Sequence, residues 1–169
     1  MRKGIILAMG GLLLLAGCKE DKSAGIPTGP KWKGEPYRIA FDTKAVKPNP
    51  TGITIPPVNF TANPDALVTR AIVVLKFTAS GATEQLIIGT ALDIKGANGT
   101  LPDTYMERAR KGLSDYLESH CLKGKVNLSV ALARSSLSPQ ATVAQADDKR
   151  LSDWLPLELV YKNPHSKCK

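Results

Sequence analysis

Residues 70–94 read RAIVVLKFTASGATEQLIIGTALDI, and this stretch decides the fold. Val73, Leu75 and Phe77 fall on one side of an extended chain, with Ile72, Val74 and Lys76 on the other. Ala79-Ser80-Gly81-Ala82 supplies a turn, after which Leu86, Ile88, Thr90, Leu92 and Ile94 alternate along a second strand. Two alternating runs around a glycine-bearing turn predict an antiparallel hairpin. Gly96-Ala97-Asn98-Gly99 then ends the second strand, and Leu101-Pro102-Asp103-Thr104 opens a helix, with Asp103 and Glu107 near the positive end of its dipole. Tyr105, Ala109, Leu113, Tyr116, Leu117 and His120 recur at helical spacing and share a face; Arg108, Lys111, Ser114, Asp115 and Glu118 lie elsewhere. Gly124 is the natural stop.

Beyond the helix, Val126, Leu128, Val130 and Leu132 alternate with Asn127, Ser129, Ala131 and Ala133 as a third strand. Residues 135–153 are polar and uneven and read as a long loop or excursion. Leu155, Leu157, Leu159 and Tyr161 form a last strand, which Pro156 directs to a sheet edge. Before residue 70, Tyr37–Asp42 reads as a short strand, and five prolines between Lys47 and Asp65 forbid a helix or a central strand. Ile53–Phe60 therefore reads as an extended edge segment. The order ββαββ, with this extended N-terminal portion, predicts an α+β domain: an antiparallel sheet of four to five strands with one amphipathic helix packed on it.

At 169 residues, 43% hydrophobic and 22% charged, the chain lies in the globular range, and no second core or internal repeat is visible. Three organisational segments emerge: a leader over 1–17, a Gly/Pro-rich charged tether over 18–36, and a single domain over 37–169. The leader has a cationic head (Arg2, Lys3), an apolar run from Gly4 to Leu15, and small residues before Cys18. That run is shorter than the roughly 20 residues of a spanning helix, which makes it an export signal. Leu15-Ala16-Gly17-Cys18 resembles the lipobox of bacterial lipoproteins. The resemblance implies cleavage before Cys18 and lipidation of its thiol. Two or three acyl chains, at about 0.8 kcal/mol per buried methylene, make a stable anchor. Lys19 occupies the position where inner-membrane retention in enteric-type bacteria usually uses Asp, so the resemblance places the protein at the outer membrane, facing the periplasm or the cell surface.

Losing Arg2 and Lys3 from 23 basic side chains against 15 acidic ones leaves a formal charge of +6. The remaining cations are scattered without an arginine-rich run or interleaved aromatics, which excludes a nucleic-acid grip. With Cys18 assigned to lipid, Cys121 and Cys168 remain, an even number for an oxidising compartment, and they are expected to pair. On the chain-entropy model a loop of this length contributes about 4 kcal/mol.

No catalytic pattern stands out. His120 and His165 belong to no metal-ligand spacing, and the position of His120 at a helix C-terminus is explained by the dipole. There is no Gly-x-Ser-x-Gly elbow and no phosphate-binding glycine loop. Asp147-Asp148 reads as a solvated loop, and Asp103/Glu107 as helix-start charge. Neither catalytic, metal nor cofactor-binding residues are assigned, and no cofactor is expected. The triplets at Asn59 and Asn98 match a glycosylation pattern without weight in a bacterial lipoprotein.

The order of elements and the placement of Cys121 and Cys168 resemble the α/β pilotins of type II secretion, small lipoproteins that carry a secretin subunit to the outer membrane. The expectation is a non-catalytic, lipid-anchored envelope protein that binds or helps assemble another envelope component. A groove beside the helix or the Ile53–Phe60 edge would capture a partner segment. An exclusion or ligand-binding lipoprotein, contacting its target through the 135–153 loop, is the alternative; a cell-wall enzyme is the third reading.

Overall fold

A computed structural model describes residues 34–46, 53–65, 68–79 and 81–164. Among them, a strand β1 (Tyr37–Phe41) pairs with β2 (Val58–Ala62), and β3 (Arg70–Ala79) pairs with β4 (Gln85–Asp93). A short β5 (Asn98–Thr100) precedes the helix α1 (Asp103–Ser119). Next come β6 (Gly124–Arg134), a one-and-a-half-turn helix α2 (Val143–Asp148), and β7 (Leu155–Tyr161). The α+β architecture with one main helix holds, its strands divided between two antiparallel sheets, ordered β1-β2-β5 and β4-β3-β6-β7.

The hairpin forms as its alternation dictates. Gly81 takes φ +77° in the turn, and the amide of Ala82 donates to the carbonyl of Ala79 at 2.9 Å. Ala71, Val73, Leu75, Phe77 and Ala79 enter the main core with Met106, Ala109, Leu113 and Leu117 of α1, whereas Ile72 and Val74 point to the opposite face. β6 lies against the other side of β3, Ala71 opposite Arg134 through to Ala79 opposite Val126. Its inward Val126, Leu128, Val130 and Leu132 join the same core. β7 closes this edge, with Pro156 exposed opposite Ser129 on the outermost strand, where its missing N–H costs no ladder bond.

Gly89 of β4 is crowded by the neighbouring strand β3 and covered by α1. A Cβ at Gly89 of β4 would stand 2.9 Å from the Val73 carbonyl oxygen and 3.5 Å from the Ala109 Cβ. The ladder is bulged there: Ile72 faces Ala91 and Val74 faces Ile88, so Gly89 and Thr90 together oppose Val73.

Three expectations are corrected. Ile53–Phe60 is not an edge. Ile53, Ile55, Val58 and Phe60 are buried in the main core, and β2 is the central strand of its sheet, between β1 and β5. The prolines are accommodated because Pro56 and Pro57 precede the paired residues rather than interrupting them. The 135–153 stretch is not a free loop. Leu137 and Ala146 bury a second, smaller core against Ile72, Val74, Ala131 and Ala133 on the outer face of the sheet. Helix α2 begins with a capping box, in which Gln145 N–H donates to Thr142 Oγ1 and Thr142 N–H to Gln145 Oε1. Residues 149–152 then continue alongside β6: Leu151 N–H donates to the Leu132 carbonyl, and the Leu151 carbonyl accepts from Tyr37 N–H, joining β6 to β1. Finally, α1 ends at Ser119, five residues before Gly124, and Gly124 instead opens β6.

Candidate functional site

Of the three cysteines, Cys18 and Cys168 lie outside the described residues, as does His165. Cys121 is described, is exposed and is disulfide-bonded. It sits at the turn between α1 and β6. Its φ of +51° makes it the only non-glycine residue in the left-handed region among those described. The Leu122 amide donates to the Leu117 carbonyl at 2.9 Å and the Cys121 amide to the Glu118 carbonyl at 3.1 Å. These two bonds form a Schellman motif with Cys121 at the position usually held by glycine. The motif satisfies carbonyls that would otherwise end the helix unpaired, and half-buried Leu122 packs into the main core behind it.

The C-terminal strand is fastened to this same turn by polar side chains that the sequence pattern did not single out. Asn163 Nδ2 donates to the carbonyls of Leu117 and Leu122, at 3.0 and 3.1 Å. The Tyr161 ring is buried, and its hydroxyl donates to Glu118 Oε1 at 3.2 Å. The same oxygen accepts from Ser114 Oγ at 2.8 Å. Burial pushes the Tyr161 phenol above its ordinary range. Ser114, placed off the apolar face by its spacing, is in fact buried. Further up α1, buried Arg110 donates to Asp103 Oδ1 at 2.7 Å, while its Nε has no hydrogen-bond partner. The helix thus carries a polar stripe of Asp103, Arg110, Ser114 and Glu118 along the margin of its buried face.

His120 stacks on Tyr116 with ring centroids 4.1 Å apart, and its Nδ1 lies 2.9 Å from the Tyr116 carbonyl and 3.0 Å from Ser119 Oγ. Ser119 in turn donates to the same Tyr116 carbonyl at 3.1 Å. Ser119 and His120 spend their polar atoms on the C-terminal end of α1, which is helix-end bonding rather than a nucleophile–base arrangement.

On the outer face, Trp154 Nε1 donates to Asp147 Oδ1 at 2.6 Å, and Lys76 Nζ lies 4.6 Å from the indole centroid. Lys76 also meets Glu84 at 3.6 Å, and Arg150 meets Asp147 at 3.3 Å. Asp147 therefore does not act as loop charge; it locks α2 onto the sheet through Trp154 and Arg150. The two Asn-x-Thr triplets form another local pairing: Asn59 faces Thr100 and Thr61 faces Asn98 across β2 and β5, with Thr100 Oγ1 donating to Asn59 Oδ1 at 2.6 Å. Phe60 and Gly99 meet on the inner side, where a Cβ at Gly99 would stand 3.1 Å from the Phe60 ring. Among the described residues no three His, Cys, Asp or Glu side chains gather as a metal site, and no helix is long and apolar enough to cross a membrane.

No protein-family model, curated protein or solved structure matches the chain. The candidate site is accordingly defined by geometry alone: the α1–β6 turn with Cys121, Glu118, Tyr161 and Asn163, and the two outer strands β4 and β7 of the larger sheet.

Proposed function

We propose that this chain is a lipid-anchored envelope protein whose domain binds, or helps assemble, another envelope component at the outer membrane. The observation that carries the proposal is the leader ending in Leu15-Ala16-Gly17-Cys18, with Lys19 after it. The organisation of the domain supports a binding role over a catalytic one. Its distinctive polar groups, from Arg110–Asp103 to Tyr161–Glu118 and Trp154–Asp147, are engaged in fastening helices and strands to one another. Docking surfaces in this proposal are the margins of the larger sheet at β4 and β7, since the Ile53–Phe60 segment is already enclosed.

Two experiments test it. Cys18→Ser in the full chain is expected to move the protein from the membrane fraction to the soluble fraction, and unchanged partitioning refutes the lipid anchor. Crosslinking the lipidated protein in intact cells, followed by mass spectrometry, is expected to recover one dominant envelope subunit. Recovery of peptidoglycan fragments instead would favour the cell-wall enzyme.

A further inference from the structure

We infer that Asn98 is a site of spontaneous, one-way modification, in which its side-chain amide is lost and the main chain is rerouted through its side chain, and that pairing of β5 with β2 holds this change back. The chemistry lies in the Asn98-Gly99 pair. Of the six asparagines, Asn49, Asn63 and Asn163 precede proline, whose nitrogen has no proton to lose, and Asn59 and Asn127 precede Phe60 and Leu128, whose side chains crowd the attack. Only Asn98 precedes glycine, and it is exposed.

The step needs water alone as co-reactant. The Gly99 nitrogen gives up its proton and attacks Cγ of Asn98; a C–N bond closes a five-membered imide, and the side-chain nitrogen departs as ammonia. Water then opens the ring. Opening at the main-chain carbonyl leaves Gly99 joined to Cγ, as isoaspartate, and opening at Cγ leaves ordinary aspartate. Either product carries a carboxylate where the amide stood, and isoaspartate adds one methylene to the main chain.

The fold guards the attacking nitrogen. Ala62 N–H donates to the Ala97 carbonyl at 2.7 Å, and Leu101 N–H to the Val58 carbonyl at 2.8 Å. These bonds fix which pairs of the ladder exchange hydrogen bonds, and by antiparallel alternation the pair midway between them, Phe60 and Gly99, exchanges them too. Gly99 N–H therefore donates to the Phe60 carbonyl, and the strand backbone at Asn98 lies far from the ψ that ring closure needs. Attack waits for β5 to leave β2. Little holds it there: β5 is three exposed residues at the edge of its sheet, tied by this ladder, by the Thr100–Asn59 bond and by the contact of Gly99 with the Phe60 ring. Once isoaspartate forms, the longer main chain cannot keep the Ala62–Ala97 and Val58–Leu101 bonds in one register. The modified chain loses β5, and β2, central in the parent, is left with an open edge.

The test incubates the detergent-solubilised full chain in mildly alkaline buffer, with and without guanidinium, and maps isoaspartate by peptide mass spectrometry. Conversion is expected at Asn98, about tenfold or more slower in the folded chain, with the slowing equal to the hydrogen-exchange protection of the Gly99 amide, since one opening serves both. Thr100→Ala, which removes the bond to Asn59, is expected to speed conversion several-fold in the folded chain and to leave the unfolded rate unchanged. In the purified isoaspartyl form the amides of Phe60 and Ala62, which point at β5, are expected to lose protection, while those of Asn59 and Thr61, which point at β1, keep it. Equal rates in the folded and unfolded chains, a slowing several-fold different from the Gly99 protection, or a Thr100→Ala chain that converts no faster overturns the inference. So does an unfolded chain in which Asn98 stays intact, or an isoaspartyl form in which Phe60 and Ala62 remain protected.

Discussion

Replacing Gly89 by alanine tests the crowding at the β3–β4 bulge beneath α1. The added Cβ would stand 2.9 Å from the Val73 carbonyl oxygen, 3.4 Å from the Tyr105 carbonyl oxygen and 3.5 Å from the Ala109 Cβ. Two of these neighbours are backbone, so relief requires the strand or the helix to move. Overpacking of this kind costs about 1–3 kcal/mol. Alanine recovers roughly 0.5–1 kcal/mol that glycine loses in a strand. The net expectation is a loss of about 1–2 kcal/mol, or about 4–7 °C in Tm for a domain of this size. Gly112 is the internal control. It lies within α1, and its added Cβ would meet the Ile87 Cγ2 at 3.0 Å, a side-chain methyl rather than backbone. Alanine there gains up to about 1 kcal/mol of helix propensity, so Gly112→Ala should fall within about 1 kcal/mol of the parent. Thermal unfolding followed by circular dichroism compares the three proteins. Equal losses in both variants, or no loss in Gly89→Ala, would refute the close backbone approach as the reason for glycine in β4.

Cys121→Gly and Cys121→Ser both remove the bridge, but only glycine suits a φ of +51°, so Cys121→Gly should be the more stable by about 1 kcal/mol in chemical denaturation. Asn163→Ala should cost about 1 kcal/mol by leaving the Leu122 carbonyl without this donor and weakening the hold on β7; urea midpoints indistinguishable from the parent would contradict that role. The phenol of Tyr37 is raised above its ordinary value of 10.0 by burial, and its hydroxyl donates to the Val68 carbonyl. The folded state thus retains a proton that the unfolded chain releases near pH 10, so this contribution is present below pH 10 and is lost as pH rises through and above it. Tyr37→Phe should unfold at a lower midpoint at pH 7 yet lose less stability between pH 9 and 11; parallel pH profiles would contradict this.

The larger sheet was legible because its strands alternate. Val73, Leu75 and Phe77 face α1 and Ile72 and Val74 face away, as period-two spacing requires. The helix was legible from Ala109, Leu113 and Leu117, all buried. What escaped did so for physical reasons. β5 is Asn98-Gly99-Thr100, three exposed residues with no apolar alternation, held by pairing with β2 and by the contact of Gly99 with Phe60. The outer-face packing of 135–153 depends on a few apolar residues, Leu137 and Ala146 among them, spread through polar sequence too irregularly for any period to show. The end of α1 was placed at Gly124 because glycine is the common C-terminal signal. Here Cys121 takes the left-handed position, and Gly124, at φ +93°, opens β6. Among the candidate residues, Cys121 could be read as disulfide-bonded from the even number of cysteines left once Cys18 is set aside. Tyr161, Glu118, Ser114 and Asn163 could not, because their bonds join positions more than forty residues apart along the chain, apart from the Ser114–Glu118 pair within α1.

The strand order β4-β3-β6-β7 has a kinetic consequence. The β3–β4 hairpin is local and can close as soon as residue 93 is available, but the other side of β3 waits for β6, whose Arg134 pairs with Ala71. Two events follow still later: residues 149–152 must bond to β6 and β1, and β7 must cover its edge. Long-range pairings of this sort close slowly, because loop entropy must be overcome before the contacts return energy. A chain emerging amino terminus first would therefore leave one side of β3 unpaired until β6 follows. That delay leaves β3 dependent on prompt arrival of its partner to avoid pairing with a neighbouring chain.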